Sequence, residues 1–299
     1  MIDLSDLDTN ISVRKKPGTR AFQLTLGIII ILLYLLILGC QQNQDFIQTN
    51  QPSLPANPAP SNTPARTPQP PLWLGTRPLP LDDQGVPISL ETPPELQIRR
   101  FTIPHLAPSE SSNFVGYTQD LNQQMLEDST WHPNCPVSAE DLQLLTMSFW
   151  GFDNRPHLGE MIIHRSATED ILWVFEQLFL ARFPIEEMRI ITQEDMQALP
   201  TGDGNVTTGF VCRPTVSFGQ WSEHAFGLAV DINPFQNPYL RGSRIIPELA
   251  TSYTNRDWHR PGMIQPGDRV VQAFESIGWK WGGDWVGVKD WMHFSLTGR

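Results

Sequence analysis

The 299-residue chain carries 32 acidic against 21 basic side chains, a net charge of -11, and 40% of its residues are apolar. That apolar content suffices for one or two packed domains. Neutralising nucleic-acid phosphates needs a visible Lys/Arg cluster, and none lies beyond the N-terminus, so a nucleic-acid partner is excluded.

At that N-terminus Arg14, Lys15, Lys16 and Arg20 precede an almost unbroken apolar run from Leu24 to Leu38, closed by Gly39-Cys40. A basic region, an apolar stretch and a small residue describe a secretory signal. Ile37-Leu38-Gly39-Cys40 resembles the bacterial lipobox, which makes Cys40 the lipidated first residue of the mature protein. An uncleaved anchor is the alternative, although the run falls short of the ~20 apolar residues that span a bilayer comfortably. Residues 1–40 are thus a lipoprotein-type signal peptide or a membrane anchor, and either way the bulk of the chain lies outside the cytoplasm.

Residues 41–100 shift to Gln, Asn, Ser, Thr and Pro, as in Pro52-Ser53-Leu54-Pro55-Ala56-Asn57-Pro58. Such a composition does not repay the entropy of ordering, so it reads as a disordered, semi-rigid linker. At ~3 Å per residue it reaches more than ~100 Å at full stretch, enough to approach a wall polymer. Residues 101–299 then form one domain with its core in 135–299. Between about Glu95 and Pro133 the signals are mixed, with Phe114 to Leu126 compatible with a helix; Ser138-Ala139-Glu140-Asp141 opens a helix with Leu142, Leu145 and Phe149 at helical spacing.

Glu160 to His164 reads as a strand. Ser166-Ala167-Thr168-Glu169 caps a helix with Ile171, Leu172, Phe175, Leu178 and Phe179 on one face, ended before Pro184. Strands follow at Met188 to Ile191 and Leu228 to Ile232, with a Gly-rich loop at 199–205 between them. Asp268 caps a helix that Gly278 stops, and an aromatic turn with Trp279, Trp281 and Trp285 leads to a last strand. Helices and antiparallel strands without regular alternation make the fold class α+β. Cys135 and Cys212 are an even pair in an oxidising compartment, where a disulfide is expected and two buried thiols are the alternative.

Two segments carry the chemistry. One is Ser222-Glu223-His224 with Asp231 seven residues on; the other is Asp290-Trp291-Met292-His293. A hydrolytic zinc takes three imidazole or carboxylate ligands and leaves the fourth position to water, and His224, Asp231 and His293 supply such a set. The bound water becomes acidic near neutral pH if a base accepts its proton, and Asp290 is the candidate base. On one regular strand a separation of three sends Asp290 and His293 to opposite faces, which places Asp290 in the loop entering the strand.

Each residue has a plainer role. Asp231 can cap the turn before Pro234, Asp290 can pair with Lys289, and Arg213 can be an ordinary ion-pairing residue. His164 and His259 are the alternative ligands. Glu223 reads as solvent-facing. Ser222 lacks the small-residue elbow of a nucleophilic serine, and Trp281 and Trp285 read as core or rim packing rather than a substrate platform.

These two segments, with Phe183-Pro184-Ile185, Thr208-Gly209-Phe210-Val211-Cys212-Arg213, Asp231-Ile232-Asn233-Pro234, Asn237-Pro238-Tyr239 and Gly278-Trp279-Lys280-Trp281-Gly282-Gly283, closely resemble the zinc D-alanyl-D-alanine carboxypeptidases. That family includes dipeptidases and L-alanyl-D-glutamate endopeptidases. The resemblance runs from about Cys135 to the end. It implies a compact hedgehog-like α+β domain, one zinc ion on His224, Asp231 and His293, and Asp290 as base. It also implies Arg213 as substrate binder and oxyanion stabiliser, and Ser222 in contact with substrate. Val211 departs from the pattern, which commonly has a polar residue there.

The reading that results is a membrane-tethered, monomeric zinc peptidase acting on peptidoglycan stem peptides. The alternative is a binding or signalling module on the same fold that holds zinc without turnover.

Overall fold

In this computed structural model the described residues are 68–108, 111–215 and 219–298. The signal segment, Cys40 and the first part of the linker lie outside them. Among the described residues no helix is long and apolar enough to cross a membrane.

The first sheet is an antiparallel meander of β1 (Gly116–Asp120), β2 (Leu142–Trp150) and β3 (Pro156–His164), in that spatial order. Helix α1 (Gln123–Asp128) follows β1, its amide of Met125 donating to the Asn122 side chain. β2 is buried nearly throughout because both of its faces are covered. Leu142 and Leu144 meet Ile162 and Phe210 on one side. Leu145, Met147 and Phe149 meet Met161, Ile163 and helix α2 (Thr168–Leu180) on the other. Ile171, Val174, Phe175 and Leu178 form the buried stripe of α2, at the spacing that puts residues on one helical face.

Shorter elements hang on this frame. β4 (Glu187–Met188) and β5 (Val206–Thr207) pair in parallel around α3 (Gln193–Gln197). β6 (Ala229–Asp231) is followed by the hairpin β7 (Tyr239–Arg241) and β8 (Arg244–Ile246), whose turn begins at Gly242 with φ +61°. Helix α4 (Arg269–Ser276) starts where Asp268 accepts from the amides of Val270 and Val271, and it packs on α2. The chain closes with β9 (Lys280–Trp281), β10 (Lys289–Asp290) and β11 (His293–Ser295). β11 lies between β6 and β9, while β10 adds to β7 in the neighbouring sheet. Small antiparallel sheets with a few packed helices are the α+β class expected, and the described residues fall in one compact unit, 64–299.

Four local expectations need correction. The helix placed over Leu142 to Phe149 is strand β2: the apolar residues cover two faces of a strand, a pattern that also satisfies helical spacing. Phe114 to Leu126 splits into β1 and α1. Helix α2 has Ala167 at its N-cap with no side-chain cap, and the Ser166 amide donates instead to the His164 ring. The strand from Met188 to Ile191 is only Glu187–Met188.

The largest correction concerns the linker, which does not extend to residue 100. Residues 68–101 are a strap packed on the domain, with Leu79, Leu96 and Phe101 in a core with Phe235, Leu249 and Tyr253. Its anchor is Arg99. Buried at 2% exposure, it forms a two-pronged ion pair with fully buried Glu186 (Nε to Oε2 2.9 Å, Nη2 to Oε1 2.6 Å) and stacks over Phe235. Another arginine bond goes to the Asp203 carbonyl, and Asn205 donates to the same glutamate. The composition was linker-like, but a few apolar residues and one paired charge were enough to order it.

Candidate metal centre and its cleft

Two extended segments bring the first motif together. Val211 N donates to His224 O, Ser222 N to Arg213 O and Thr215 N to Gln220 O, so residues 211–215 and 220–224 run antiparallel. Cys135 and Cys212 form a disulfide, and the Cys212 amide donates to Thr130 Oγ1, fastening one arm to the loop before β2. His224 sits in a short helical turn, Glu223–Phe226, whose first amide, that of His224, faces the Ser222 hydroxyl. Gly227 ends the turn at φ +70°, and a Cβ there would meet the His164 amide at 2.6 Å, so only glycine fits this close approach.

Asp231 and His293 are direct cross-strand neighbours on β6 and β11. Adjacent positions in one antiparallel pair put their side chains on the same face. Asp231 is also clamped on its other side, exchanging both backbone hydrogen bonds with Thr208 at 3.1 and 2.9 Å. The sheet thus supplies two donors and the helical turn the third.

The three donor atoms converge almost equally. His224 Nε2 lies 3.2 Å from His293 Nδ1 and 3.2 Å from Asp231 Oδ1, and His293 Nδ1 lies 3.1 Å from that same oxygen. His224 Nδ1 is 2.6 Å from the Gly209 carbonyl, which only accepts, so Nδ1 carries the proton and Nε2 turns its lone pair inward. A proton between two of these atoms satisfies one contact, not three. Donors around a tetrahedral zinc with ~2.0–2.1 Å bonds sit about 3.3–3.4 Å apart, so the set fits a single small dication. Burial alone would raise the Asp231 carboxyl, yet the two imidazoles hold it well below the usual range, ionised as a ligand must be. His164 and His259 are not part of this group. A second cluster, His132 with Cys135 and Cys212, is closed to metal because its sulfurs are bonded to each other.

A cleft of about 660 Å³ opens over the donors, and Arg213, Ser222, Trp285 and Asp290 also line it. Asp290 is not in a loop but in β10, paired with Tyr239. The turn at Trp291 and Met292 then shifts the chain into another sheet, which lets Asp290 and His293 face the same cleft despite their spacing of three. Asp290 Oδ1 is buried without a hydrogen-bond partner. Burial pushes this carboxyl up to about 7; His293 and Arg213 oppose the rise and Asp231 adds to it.

Lys289 does not neutralise Asp290, since its ammonium donates to the Gly283 carbonyl at 2.8 Å. Among the described residues no hydrogen bond or ion pair occupies the Arg213 guanidinium. Trp281 is core, its indole donating to Trp291 O. Trp285 is rim, with its ring centroid 5.6 Å from that of His293. Tyr239, Arg241, Trp221 and Ile246 also line the cleft and went unassigned in the sequence. Alternation along β7 would have placed Tyr239 and Arg241 together, had the strand's register been known.

Paired imidazoles and a carboxylate line the cleft beside a buried carboxyl with an unsatisfied oxygen, a donor set that could hold a metal ion next to a group able to take a proton. Residues 216–296 match the model of the family described as D-alanyl-D-alanine carboxypeptidase, a stretch that contains all three donors and Asp290. The resemblance read from the sequence motifs is borne out over that stretch. No solved structure matches the chain.

Proposed function

We propose that the protein is a zinc-dependent peptidase that hydrolyses amide bonds in peptidoglycan stem peptides, of the D-Ala-D-Ala carboxypeptidase or L-Ala-D-Glu endopeptidase type. The observation that carries this reading is the three-way convergence of His224, Asp231 and His293 beside an unpartnered Asp290 oxygen. Zinc held by these three would act as a Lewis acid and bring a water's pKa towards ~7.

The chain's own residues do the rest. Asp290, ionised, accepts the proton of the attacking water and returns it to the departing amine. Its burial makes it a stronger base than an exposed carboxylate. Arg213 directs its guanidinium into the cleft, where it meets negative charge that develops on the scissile carbonyl oxygen. The Gly209 carbonyl fixes the His224 ring so that no reorientation is needed. Ser222 lines the same cleft, placed to touch substrate while its hydroxyl caps the turn of His224.

The basic and apolar N-terminal residues, together with the Cys135–Cys212 disulfide, support a site outside the cytoplasm with Cys40 or an uncleaved anchor at the membrane. The test is incubation of the full chain with purified stem peptides, with and without chelator, read by mass spectrometry. Metal-dependent release of D-Ala identifies a carboxypeptidase, and release of a fragment beginning at D-Glu an endopeptidase. Stoichiometric zinc with no product from any stem peptide would replace this reading with a non-catalytic zinc module.

A further inference from the structure

We propose that Arg241 reads a carboxylate on the peptide, about two residues from the bond that is cut, and thereby restricts the cleft to acidic peptides. This rests on the peptidase reading and adds the substrate's charge to it.

The position follows from strand register. Tyr239 pairs with Asp290 across β7 and β10, and Leu240 turns the other way into the core. Tyr239 and Arg241 therefore share a face, about 7 Å apart along the strand, and both line the cleft. An extended peptide advances ~3.3 Å per residue, so a group meeting Arg241 sits about two residues beyond one held at Asp290. Arg213 stands beside Asp290 and is left for the reacting carbonyl.

Among the described residues neither a hydrogen bond nor an ion pair reaches the guanidinium of Arg241. Its direct cross-strand neighbour is Arg244, a second positive charge. Like charges placed opposite one another are destabilising in an antiparallel pair. Arg244 draws on the Glu248 carboxyl, which burial raises, whereas among the described residues no carboxylate forms an ion pair with Arg241. A chain of net charge -11 thus keeps an exposed cation on the lining of its cleft. Two arginines and three carboxylates line that cleft, and one of the carboxylates, Asp231, is committed to the donor set. A planar guanidinium with free donors recognises a carboxylate in two-pronged fashion, with neutral amides a poor substitute.

Calorimetric binding to the full chain in detergent, with chelator present to prevent turnover, tests this. The probes are L-Ala-γ-D-Glu-L-Lys-D-Ala-D-Ala, its twin with the D-Glu carboxyl as amide, and its twin with the C-terminal carboxyl as amide. One amide twin should bind about tenfold or more weakly, which identifies the carboxylate read. Arg241→Gln should erase that difference, Arg241→Lys retain part of it, and Arg244→Gln preserve it. Equal binding of all three probes to the unaltered chain, or a difference that survives Arg241→Gln, overturns the proposal. If the zinc-loaded chain cuts none of the probes while the binding difference persists, the peptidase reading fails and the role of Arg241 stands.

Discussion

His224 and His293, 69 positions apart in the chain, face each other with Nε2 and Nδ1 separated by 3.2 Å, and Asp231 Oδ1 stands 3.2 Å from the first and 3.1 Å from the second. In a metal-free core a shared proton rewards only one of these three contacts at a time. A small cation at the centre would satisfy all three. Asp231→Asn keeps the shape of the carboxylate but removes its charge, and we expect it to lower zinc affinity by at least ~10-fold, read by competition with a chromophoric chelator. Zinc affinity equal to that of the unaltered protein would mean the cation sits elsewhere.

Asp290 separates proton transfer from metal binding. Asp290→Asn should lower kcat by about 10²–10⁴-fold while leaving zinc content unchanged. Because the base works ionised, kcat/KM should rise with pH on its acidic limb. A nearby dication draws the carboxyl down from the value near 7 that burial gives it, so the midpoint should fall below that value. A variant that retains full turnover removes Asp290 from the reaction.

The same carboxyl should shape stability in the metal-free protein. Its folded pKa is raised above the unfolded value, so between ~4 and about 7 the folded state binds more protons, and stability falls as pH rises through that window. Asp231, held low, acts with opposite sign, contributing stability above ~4 that is lost as pH falls. With chelator present, Asp290→Asn should raise Tm relative to the unaltered protein above pH 7 and leave it nearly unchanged at pH 4. A Tm difference independent of pH would contradict the assignment.

The strap belongs to the folded domain rather than to the linker. Arg99→Met leaves Glu186 buried without its cation and should cost about 3–5 kcal/mol by denaturant unfolding. Adding Glu186→Gln should recover part of the loss. The consequence reaches the centre because the Glu186 amide donates to Asn233, two residues after Asp231 and itself at φ +44°. A chain starting at residue 101 should therefore lose activity as well as stability.

Much of the centre was legible in the sequence because its chemistry is local: an imidazole and a carboxylate seven apart, and a carboxylate and an imidazole three apart, are visible without tertiary knowledge. The placement of Asp290 was half legible. Strand geometry excludes it from the strand of His293, but only the turn at Trp291 and Met292 reveals that it joins another sheet. β2 was misread because a strand covered on both faces loses its alternation, and Leu142, Leu145 and Phe149 then mimic a helix. The strap was invisible for a different reason. Its order depends on Glu186 and Asp203 more than 80 positions away, and composition reports nothing about such partners.

The most direct test of the central claim is metal content. Zinc titrated into the full chain under non-reducing conditions, followed by calorimetry and elemental analysis, should reach one ion per chain, and His224→Ala or His293→Ala should abolish it. Binding that persists undiminished in both variants, or no binding by the unaltered chain, would contradict the account.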